Sequence, residues 1–344
     1  MPNSITPSTV YIITGASRGL GEAFVRRLLR PDVHLLCVAR SDNAALRREA
    51  ETAGVRLDWF ERDLAALQQL EPLMAELLAC AGIGGGMLAS ASGVETISST
   101  EPTASGAQTH SGSPATSIAE TRPSPPNASG AEPRPSPHAA TASSEGERPN
   151  SSGAAQFPPP ERDAAASPPD VPRLRLINNA GVLEPIGPVH EAGTSALALN
   201  VAVNLTAPMA LTAAFLRLTQ PLAADKRVLN ISSGAARKPY FGWSSYCAAK
   251  AGLDHFTRCV KLEQDALPYG AKLASVAPGV IDTAMQASIR AADEGRFRDL
   301  PRFRALHESG SLTPPNEAAE RLLALLEHPD FGAEPVLDIR DITS

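Results

Sequence analysis

Short, continuous apolar runs alternate with amphipathic segments through most of the chain. The apolar runs predict strands in TVYIIT, VHLLCVAR, VRLDWFERDL, RLRLINNAG, KRVLNISSG, AKLASVAPG and PVLDIRD. The amphipathic segments predict helices in GEAFVRRLLR, AALRREAETAG, LQQLEPLMAELLAC, ALALNVAVNLTAPMALTAAFLRLT, SSYCAAKAG and TPPNEAAERLLALLEHPD, the last of them capped by Thr313. Apolar strands that alternate with helices predict an α/β fold with a doubly wound parallel sheet, covered on both faces.

Residues 82–170 break this alternation. The segment consists mainly of Ser, Pro, Ala, Thr and Gly, and Phe157 is its one aromatic residue. Such a composition cannot bury enough apolar surface to offset the entropy of ordering, so we expect a disordered insertion. A surface connection tolerates such an insertion because the cost of loop closure grows slowly with length. We therefore predict one catalytic domain from residues 1–81 and 171–344, a chain long enough for a full core.

Composition argues against several partners. The formal net charge is −6 and no basic stripe stands out, so we expect no nucleic acid partner. The first residues lack the pattern of a secretory signal, and no stretch looks apolar enough to span a membrane. No C-x-x-C pair occurs, so we expect buried, reduced thiols in a cytoplasmic protein with no metal site. The cysteines in question are Cys37, Cys80, Cys247 and Cys259.

A glycine-rich turn follows the first predicted strand. TGASRGLGEA places Gly15, Gly19 and Gly21 in the pattern T-G-x-x-x-G-x-G. Glycine permits a tight turn and a close approach of phosphates to the backbone, and the next helix offers free N–H groups to the anion. Between the first strand and the first helix, this turn predicts a dinucleotide site of Rossmann type. The alternative is a tight connection that binds no nucleotide.

The end of the second strand indicates which dinucleotide binds. An NAD site usually has Asp or Glu there, whereas CVARS has Arg40. Arg18, in the glycine turn, is a second cation. Two guanidinium groups suit a 2′-phosphate through charge-assisted hydrogen bonds. Either arginine alone could be a solvated surface charge, but the pair predicts NADP(H) rather than NAD(H).

Tyr246 and Lys250 lie four residues apart in SSYCAAKAG. This spacing puts both side chains on one face of a helix. A phenol beside a fixed cation loses its proton more easily, which suits a proton donor near neutral pH. A Tyr-x-x-x-Lys pair alone is most often a surface coincidence, so the other motifs must decide.

Three further motifs accompany this pair. NISSG carries Ser233, NVAVNLTAP carries Asn204, and NNAG spans residues 178–181. With TGASRGLG before them and APGVIDTAM after them, this set resembles the short-chain dehydrogenase/reductase family over nearly all of the chain outside the insertion. The resemblance implies a nicotinamide-dependent oxidoreductase that acts on CH–OH and C=O groups of a small-molecule carbonyl substrate. It also implies a homodimer or homotetramer.

The resemblance assigns roles by position. Tyr246 would be the general acid that protonates the carbonyl oxygen, and Lys250 would lower the pKa of Tyr246 and hydrogen-bond the nicotinamide ribose. Ser233 would orient the substrate oxygen, and Asn204 would hold a water chain. Besides Tyr246 and Lys250, the implied cofactor contacts are Gly15, Ser17, Arg18, Gly19, Leu20, Gly21, Arg40, Asp63 at the adenine, Asn179, Ala180, Gly181, Pro278, Gly279 and Thr283. As alternatives, Ser233 could be a turn residue and Asn204 a buried amide satisfied by backbone.

Within the family, VLNISSGAARKPYFGWSSYCAAKAGLDHFT and the ending PVLDIRD are similar to sepiapterin reductases and bacterial benzil reductases. This similarity implies NADPH-dependent reduction of one carbonyl of a vicinal (1,2-) diketone or of a sepiapterin-like compound. It places Ser233, Trp243 and Asp338 at the substrate, with Asp338 as the anchor of a pterin. Tyr240, Phe241 and Trp243 either line the pocket or pack their loop onto the core.

Two other functions stay open. A 3-oxoacyl carrier-protein reductase or a general short-chain alcohol dehydrogenase usually ends in a VDGG strand, whereas this chain ends in VLDIRDITS. A catalytically inactive, NADP-binding regulatory protein would lack Ser233, Tyr246 or Lys250, and all of them are present.

Overall fold

The computed structural model describes residues 8–83 and 171–342. Its strands are β1 (Thr9–Thr14), β2 (Val33–Ala39), β3 (Arg56–Glu61), β4 (Arg173–Asn178), β5 (Asp225–Ile231), β6 (Lys272–Ala277) and β7 (Val336–Asp338). They form one parallel sheet in the order β3–β2–β1–β4–β5–β6–β7. The order reverses between β1 and β4, which is where a doubly wound sheet places a ligand crevice. The predicted Rossmann-type fold class is confirmed.

Helices cover both faces of the sheet. They are α1 (Gly19–Arg27), α2 (Ala44–Thr52), α3 (Leu70–Cys80), α4 (Thr194–Val201), α5 (Ala207–Thr219), α6 (Ser244–Asp265), α7 (Ala284–Arg290), α8 (Leu300–Glu308) and α9 (Pro315–Glu327). One apolar cluster joins α1, α2 and α9 to the sheet, and another joins α3, α5 and α6 to its opposite face. The whole of β1 is buried, with Tyr11 and Ile13 in the first cluster and Val10 and Ile12 in the second. Burial on both faces explains why the strands are continuously apolar.

A buried ion cluster ties the last long helix to the sheet. Arg175, only 1% exposed, lies 2.8 Å from a carboxylate oxygen of Asp225 and 2.8 Å from one of Glu327. The hydroxyl of Tyr11 donates to Glu327 at 2.7 Å. With Arg227, which lies 3.1 Å from Asp225, two arginines balance the two carboxylates, and these contacts link β1, β4 and β5 to α9.

The observed elements differ from the predicted ones in three places. The single helix expected across 196–219 is divided by one π-helical turn, Ala202–Thr206, which separates α4 from α5. Helices α7 and α8 were not predicted. Thr313 does not cap α9: Pro314 precedes the helix without a side-chain cap, and the backbone of Thr313 pairs with Val280 and Asp282. The predicted disorder of residues 82–170 falls, beyond Ile83, outside the described residues.

The apolar run from α4 to α5 corrects the expectation about membrane spans. Within the described residues, Thr194–Thr219 is long and apolar enough, by length and composition, to cross a membrane. Half of its 18-residue apolar window is buried, however, and Leu211 and Phe215 lie in the core beside α3. A core helix of a globular fold passes the same test, so the run is weak evidence for a membrane span.

Candidate active site

The turn between β1 and α1 needs its glycines. Gly15 has φ +68°, and a Cβ there would lie 2.9 Å from the Cα of Ala180. A Cβ at Gly21 would clash with the carbonyl oxygen of Gly15. Arg18 precedes α1 without a side-chain cap, so the first N–H groups of the helix are left to another acceptor. A glycine cradle at an uncapped helix start fits the diphosphate of a dinucleotide.

A pair of residues fastens the end of β4 to this turn. The Thr14 hydroxyl accepts hydrogen bonds from the backbone N–H of Asn179 at 3.0 Å and of Ala180 at 3.1 Å. The Asn179 amide donates to the carbonyl oxygens of Thr14 at 3.0 Å and Gly15 at 3.3 Å. The structure thus brings the predicted residues Gly15, Asn179 and Ala180 together. Thr14 is a positioning residue that the sequence analysis missed.

The two predicted phosphate-binding arginines are available. Arg18 and Arg40 are exposed, and within 8–83 and 171–342 neither side chain has a hydrogen-bond or ion-pair partner. Asn43 holds their two loops together: its amide nitrogen donates to the Ser17 carbonyl at 3.0 Å, and its Oδ1 accepts from the N–H of Leu46 at 3.0 Å. Asn43 was not predicted, although its position as the N-cap of α2 was a signal.

Asp63 lies two residues beyond β3 and is exposed. Its Oδ1 accepts a hydrogen bond from the N–H of Ala65 at 3.0 Å, which shapes the turn after the strand. The contact with adenine stays a prediction.

Ser233, Tyr246 and Lys250 converge at the carboxyl end of β5. Tyr246 and Lys250 are 7% and 4% exposed, and the Lys250 Nζ lies 5.8 Å from the centre of the Tyr246 ring. Ser233 lies near enough to the Tyr246 hydroxyl to lower its pKa, and the Ser233 Oγ accepts a hydrogen bond from the N–H of Ala235 at 3.1 Å. Lys250 Nζ donates to the Ile231 carbonyl at 2.9 Å.

Burial dominates the electrostatics of this pair. Burial raises the pKa of Tyr246, and the neighbouring Ser233 hydroxyl only partly offsets this. Burial also lowers the pKa of Lys250 to about 8, against the attraction of Asp254, which raises it. Burial thus sets the net direction of both shifts, and the lowering of the Tyr246 pKa by Lys250 stays a prediction.

Asp254 is a second positioning residue that the sequence analysis missed. It is 3% exposed, and its Oδ1 accepts from the hydroxyls of Ser232 at 2.5 Å and Ser275 at 2.7 Å. It lies one turn beyond Lys250 and is the nearby charge that favours the protonated lysine. The signal was present in the sequence, since residues 246, 250 and 254 follow the four-residue spacing of one helix face.

Asn204 occupies the π-helical turn between α4 and α5 and is fully buried. Its amide nitrogen donates to the carbonyls of Val182 at 2.7 Å and Asn200 at 3.0 Å, and its Oδ1 accepts from the N–H of Val182 at 3.2 Å. A Cβ at Gly181 would lie 3.0 Å from this Oδ1 and 4.0 Å from Lys250 Nζ. The structure therefore places Asn204 and Gly181 beside Lys250, while the water chain stays a prediction.

Trp243 packs its loop onto the core, which is one of the two functions that the sequence left open, and its place at the substrate stays a prediction. It is 4% exposed and packs its loop onto α8, yet its ring also meets the edge of Tyr246. Its ring centre lies 4.4, 5.0, 5.4 and 5.9 Å from those of Phe297, Tyr240, Phe303 and Tyr246. Phe241 does not join this aromatic group in the described structure and instead lies under the guanidinium of Arg298.

The loop after β6 closes over the glycine turn. Pro278 follows β6, and Gly279 has φ +80°. Thr283 precedes α7, and its Cγ2 would lie 3.3 Å from a Cβ placed at Gly19. This contact brings the start of α7 to the predicted cofactor site.

Asp338 ends β7 with its carboxylate already engaged. It is 4% exposed, and Arg340 binds both oxygens, at 2.8 and 2.6 Å. Arg237 lies 3.7 Å from Oδ2. Burial works to raise the pKa of Asp338, but the hydrogen bonds from Arg340 outweigh it and lower the pKa. Anchoring a substrate at Asp338 stays a prediction, and it would require this ion pair to open.

One group of potential metal ligands lies elsewhere in the described residues. Ligand atoms of His34, Asp58 and Cys80 lie within 4.8 Å of one another. They already hydrogen-bond among themselves, with 2.7 Å between His34 Nε2 and Asp58 Oδ2, and Arg56 lies 3.5 Å from that same oxygen. The adjacent cation disfavours a second one. The predicted roles use none of these residues.

All four cysteines are unpaired. The expectation of buried thiols is correct for Cys37 but wrong for Cys259, which is exposed on α6.

Comparison with known proteins identifies the family. The sequence model of the short chain dehydrogenases matches residues 9–104 and 174–294. The chain is 45% identical to benzil reductase ((S)-benzoin forming) of Bacillus cereus over 170 residues, 49% of this chain and 68% of that protein. It is 32% identical to sepiapterin reductase of Rattus norvegicus over 191 residues, 54% of this chain and 68% of that protein.

A solved structure shows the same fold. It is a putative NAD(P) dependent gluconate 5-dehydrogenase from Beutenbergia cavernae, with a TM-score of 0.61 at 18% identity, over 97% of this chain and 95% of the other. Because the family model spans the glycine turn, Ser233, Tyr246 and Lys250, and because named reductases align with the same chain, this protein belongs to the short chain dehydrogenase family of oxidoreductases.

Proposed function

We propose that this protein is an NADPH-dependent carbonyl reductase that reduces one carbonyl of a vicinal diketone or of a related α-oxo compound on an aromatic or heterocyclic group. The observation that carries the proposal is the convergence of Ser233, Tyr246 and Lys250 at the end of β5, beside the glycine turn.

The chain's own residues supply a proton and hold the substrate. When bound, a nicotinamide cofactor supplies the hydride that the carbonyl carbon accepts. The Tyr246 hydroxyl gives its proton to the carbonyl oxygen, so an alcohol forms and the tyrosine is left as phenolate. Since burial raises the pKa of Tyr246, its hydroxyl stays protonated at neutral pH and is ready as an acid. Ser233 orients the same oxygen, and protonated Lys250 stabilises the phenolate.

Two features support NADPH. Arg18 and Arg40 flank the nucleotide site as exposed cations without partners in the described chain, and no carboxylate stands at the end of β2. A 2′-phosphate would satisfy both guanidinium groups. Arg40→Asp tests this directly: the ratio of kcat/KM for NADPH to that for NADH should fall at least tenfold. An unchanged ratio would remove the support for NADPH.

The substrate class rests on similarity and on the site's walls. The Bacillus cereus relative is named for benzil, an aromatic 1,2-diketone. In this chain, Trp243 places an apolar ring beside Tyr246, and Phe303 packs against Trp243, which suits an aromatic substituent.

An NADPH-oxidation screen tests the substrate class. Benzil, an aliphatic vicinal diketone, sepiapterin and an oxoacyl thioester are compared at equal concentration, and we expect the highest kcat/KM among the first three. Ser311→Ala, a change in a surface loop next to α8, is a matched control that should leave the ranking intact. Preference for the thioester would contradict the proposal.

We also propose a cytoplasmic homodimer or homotetramer. Leu199, Met209 and Leu262 are large apolar side chains, 48%, 37% and 74% exposed, on the neighbouring helices α4, α5 and α6. A second copy would cover them. Light scattering during size exclusion measures the mass, and a monomer at micromolar concentration would contradict this assembly.

A further inference from the structure

Unsatisfied polar atoms are concentrated around α7. Within the described residues, buried side-chain atoms without a hydrogen-bond partner occur on Trp59, Asn178, Trp243, Gln286 and Arg290. The last three belong to the loop before α6 and to α7. Gln286 is the most anomalous, because it is only 2% exposed and both its Oε1 and its Nε2 lack partners. Arg290, by contrast, has the Asp282 carboxylate at 3.9 Å.

Helix α7 carries Gln286 toward the active site. Gln286 and Ile289 are the buried residues of α7, one turn apart, so they share its inward face. Ile289 belongs to the apolar cluster that holds Trp243 and Tyr246, and partly buried Met285 packs against the same cluster. Thr283, which precedes the first residue of the helix, lies beside the glycine turn. Gln286 therefore shares the helix face that Ile289 packs into the cluster of Trp243 and Tyr246, on a helix whose start lies near the glycine turn.

Burying this amide without partners is costly. A buried polar group without a partner destabilises the folded protein, whereas an apolar side chain of the same shape carries no such penalty. A bound ligand that forms a hydrogen bond with the Gln286 amide would offset this cost. Trp243 presents a second unpaired donor, its Nε1–H, in the cluster that α7 covers.

We propose that Gln286 is a specificity-determining residue whose amide N–H, together with the Trp243 Nε1–H, binds a second oxygen of the substrate. This oxygen is adjacent to the carbonyl that Tyr246 protonates. The inference rests on the proposed function and deepens it: the preferred substrates carry a hydrogen-bond acceptor α to the reacting carbonyl, and a simple ketone leaves both donors unpaired. A site built to hydrogen-bond one substrate oxygen discriminates strongly against the analogue that lacks it.

The test compares two substrates that differ in that oxygen. Benzil carries the second carbonyl, and deoxybenzoin has a methylene group in its place. Gln286→Met removes the amide at nearly constant length. We expect kcat/KM for benzil to fall about tenfold to a hundredfold, while kcat/KM for deoxybenzoin changes less than about threefold. Trp243→Phe keeps the ring and removes only the donor, and it should shift the benzil/deoxybenzoin ratio in the same direction.

Gln264→Met is the matched control. Gln264 is also buried, on α6, but its Oε1 accepts from the N–H of Ala271 at 3.1 Å, so its amide serves the fold. We expect it to lower thermal stability with the substrate ratio unchanged, whereas Gln286→Met keeps or raises thermal stability. The inference is overturned if Gln286→Met loses activity equally on both substrates, or if neither Gln286→Met nor Trp243→Phe changes the benzil/deoxybenzoin ratio of kcat/KM. In that case, wild-type activity still upholds the proposed function. A wild-type protein that reduces neither substrate overturns both.

Discussion

We expect that holding Lys250 as a buried cation lowers the stability of the folded protein. Its side chain is buried and its pKa falls from the ordinary 10.5 to about 8, so holding the charge at pH 7 costs the folded state about 3 kcal/mol. Lys250→Met removes that cost but also the hydrogen bond to the Ile231 carbonyl, worth about 1 kcal/mol. The free energy of unfolding should therefore rise by about 2 kcal/mol at pH 7, while reductase activity is lost.

The pKa of Lys250 in the folded and unfolded chain determines how the free energy of unfolding changes with pH. The folded protein releases the Lys250 proton near pH 8 and the unfolded chain near 10.5, so wild-type stability rises with pH between these values. The advantage of Lys250→Met should shrink from about 2 kcal/mol at pH 7 to near zero at pH 10. Urea denaturation without cofactor at both pH values measures this difference in the free energy of unfolding.

Lys238→Met is the control, because Lys238 makes a surface ion pair with Asp299 at 3.5 Å and should change stability by less than about 1 kcal/mol. A less stable Lys250→Met at pH 7, or a difference independent of pH, would refute the reasoning.

Three further substitutions probe other parts of the structure. Asp254→Asn removes the charge that raises the pKa of Lys250, so the alkaline limb of kcat/KM for NADPH should move about one pH unit lower; an unmoved limb contradicts the role of Asp254. Gly21→Ala forces a clash in the glycine turn and should weaken NADPH binding in a fluorescence titration, whereas Gly193→Ala, with open space around it, should not. Glu327→Leu should lower the free energy of unfolding in urea by about 2 kcal/mol, because a buried arginine loses a partner; no loss would mean that the cluster is not stabilising.

Local patterns were enough to predict the framework. The bounds of β1 match the apolar run TVYIIT, and the sheet follows from strand–helix alternation. The spacing of Tyr246 and Lys250 placed them on one helix face, and the glycine pattern marked a turn in which a side chain at Gly21 has no room. These features depend on neighbours in sequence, which is why the sequence reveals them.

The missed features depend on tertiary contacts. The raised pKa of Tyr246 and the lowered pKa of Lys250 arise from burial by several elements, which residue spacing does not report. Thr14 and Asn43 act through bonds to residues distant in the chain. Gln286 lies in a segment where the sequence predicted no helix, and its burial depends on the packing of α7 against the aromatic cluster.

Tyr246→Phe tests the central claim most directly. The substitution keeps the ring and its packing against Trp243 and removes only the hydroxyl that lies near Ser233. In single-turnover NADPH oxidation with benzil, the account predicts that the rate falls by about a hundredfold to ten-thousandfold, with NADPH affinity within about threefold of the wild type. A variant that still oxidises NADPH at the wild-type rate would contradict the assignment of Tyr246 as the proton donor.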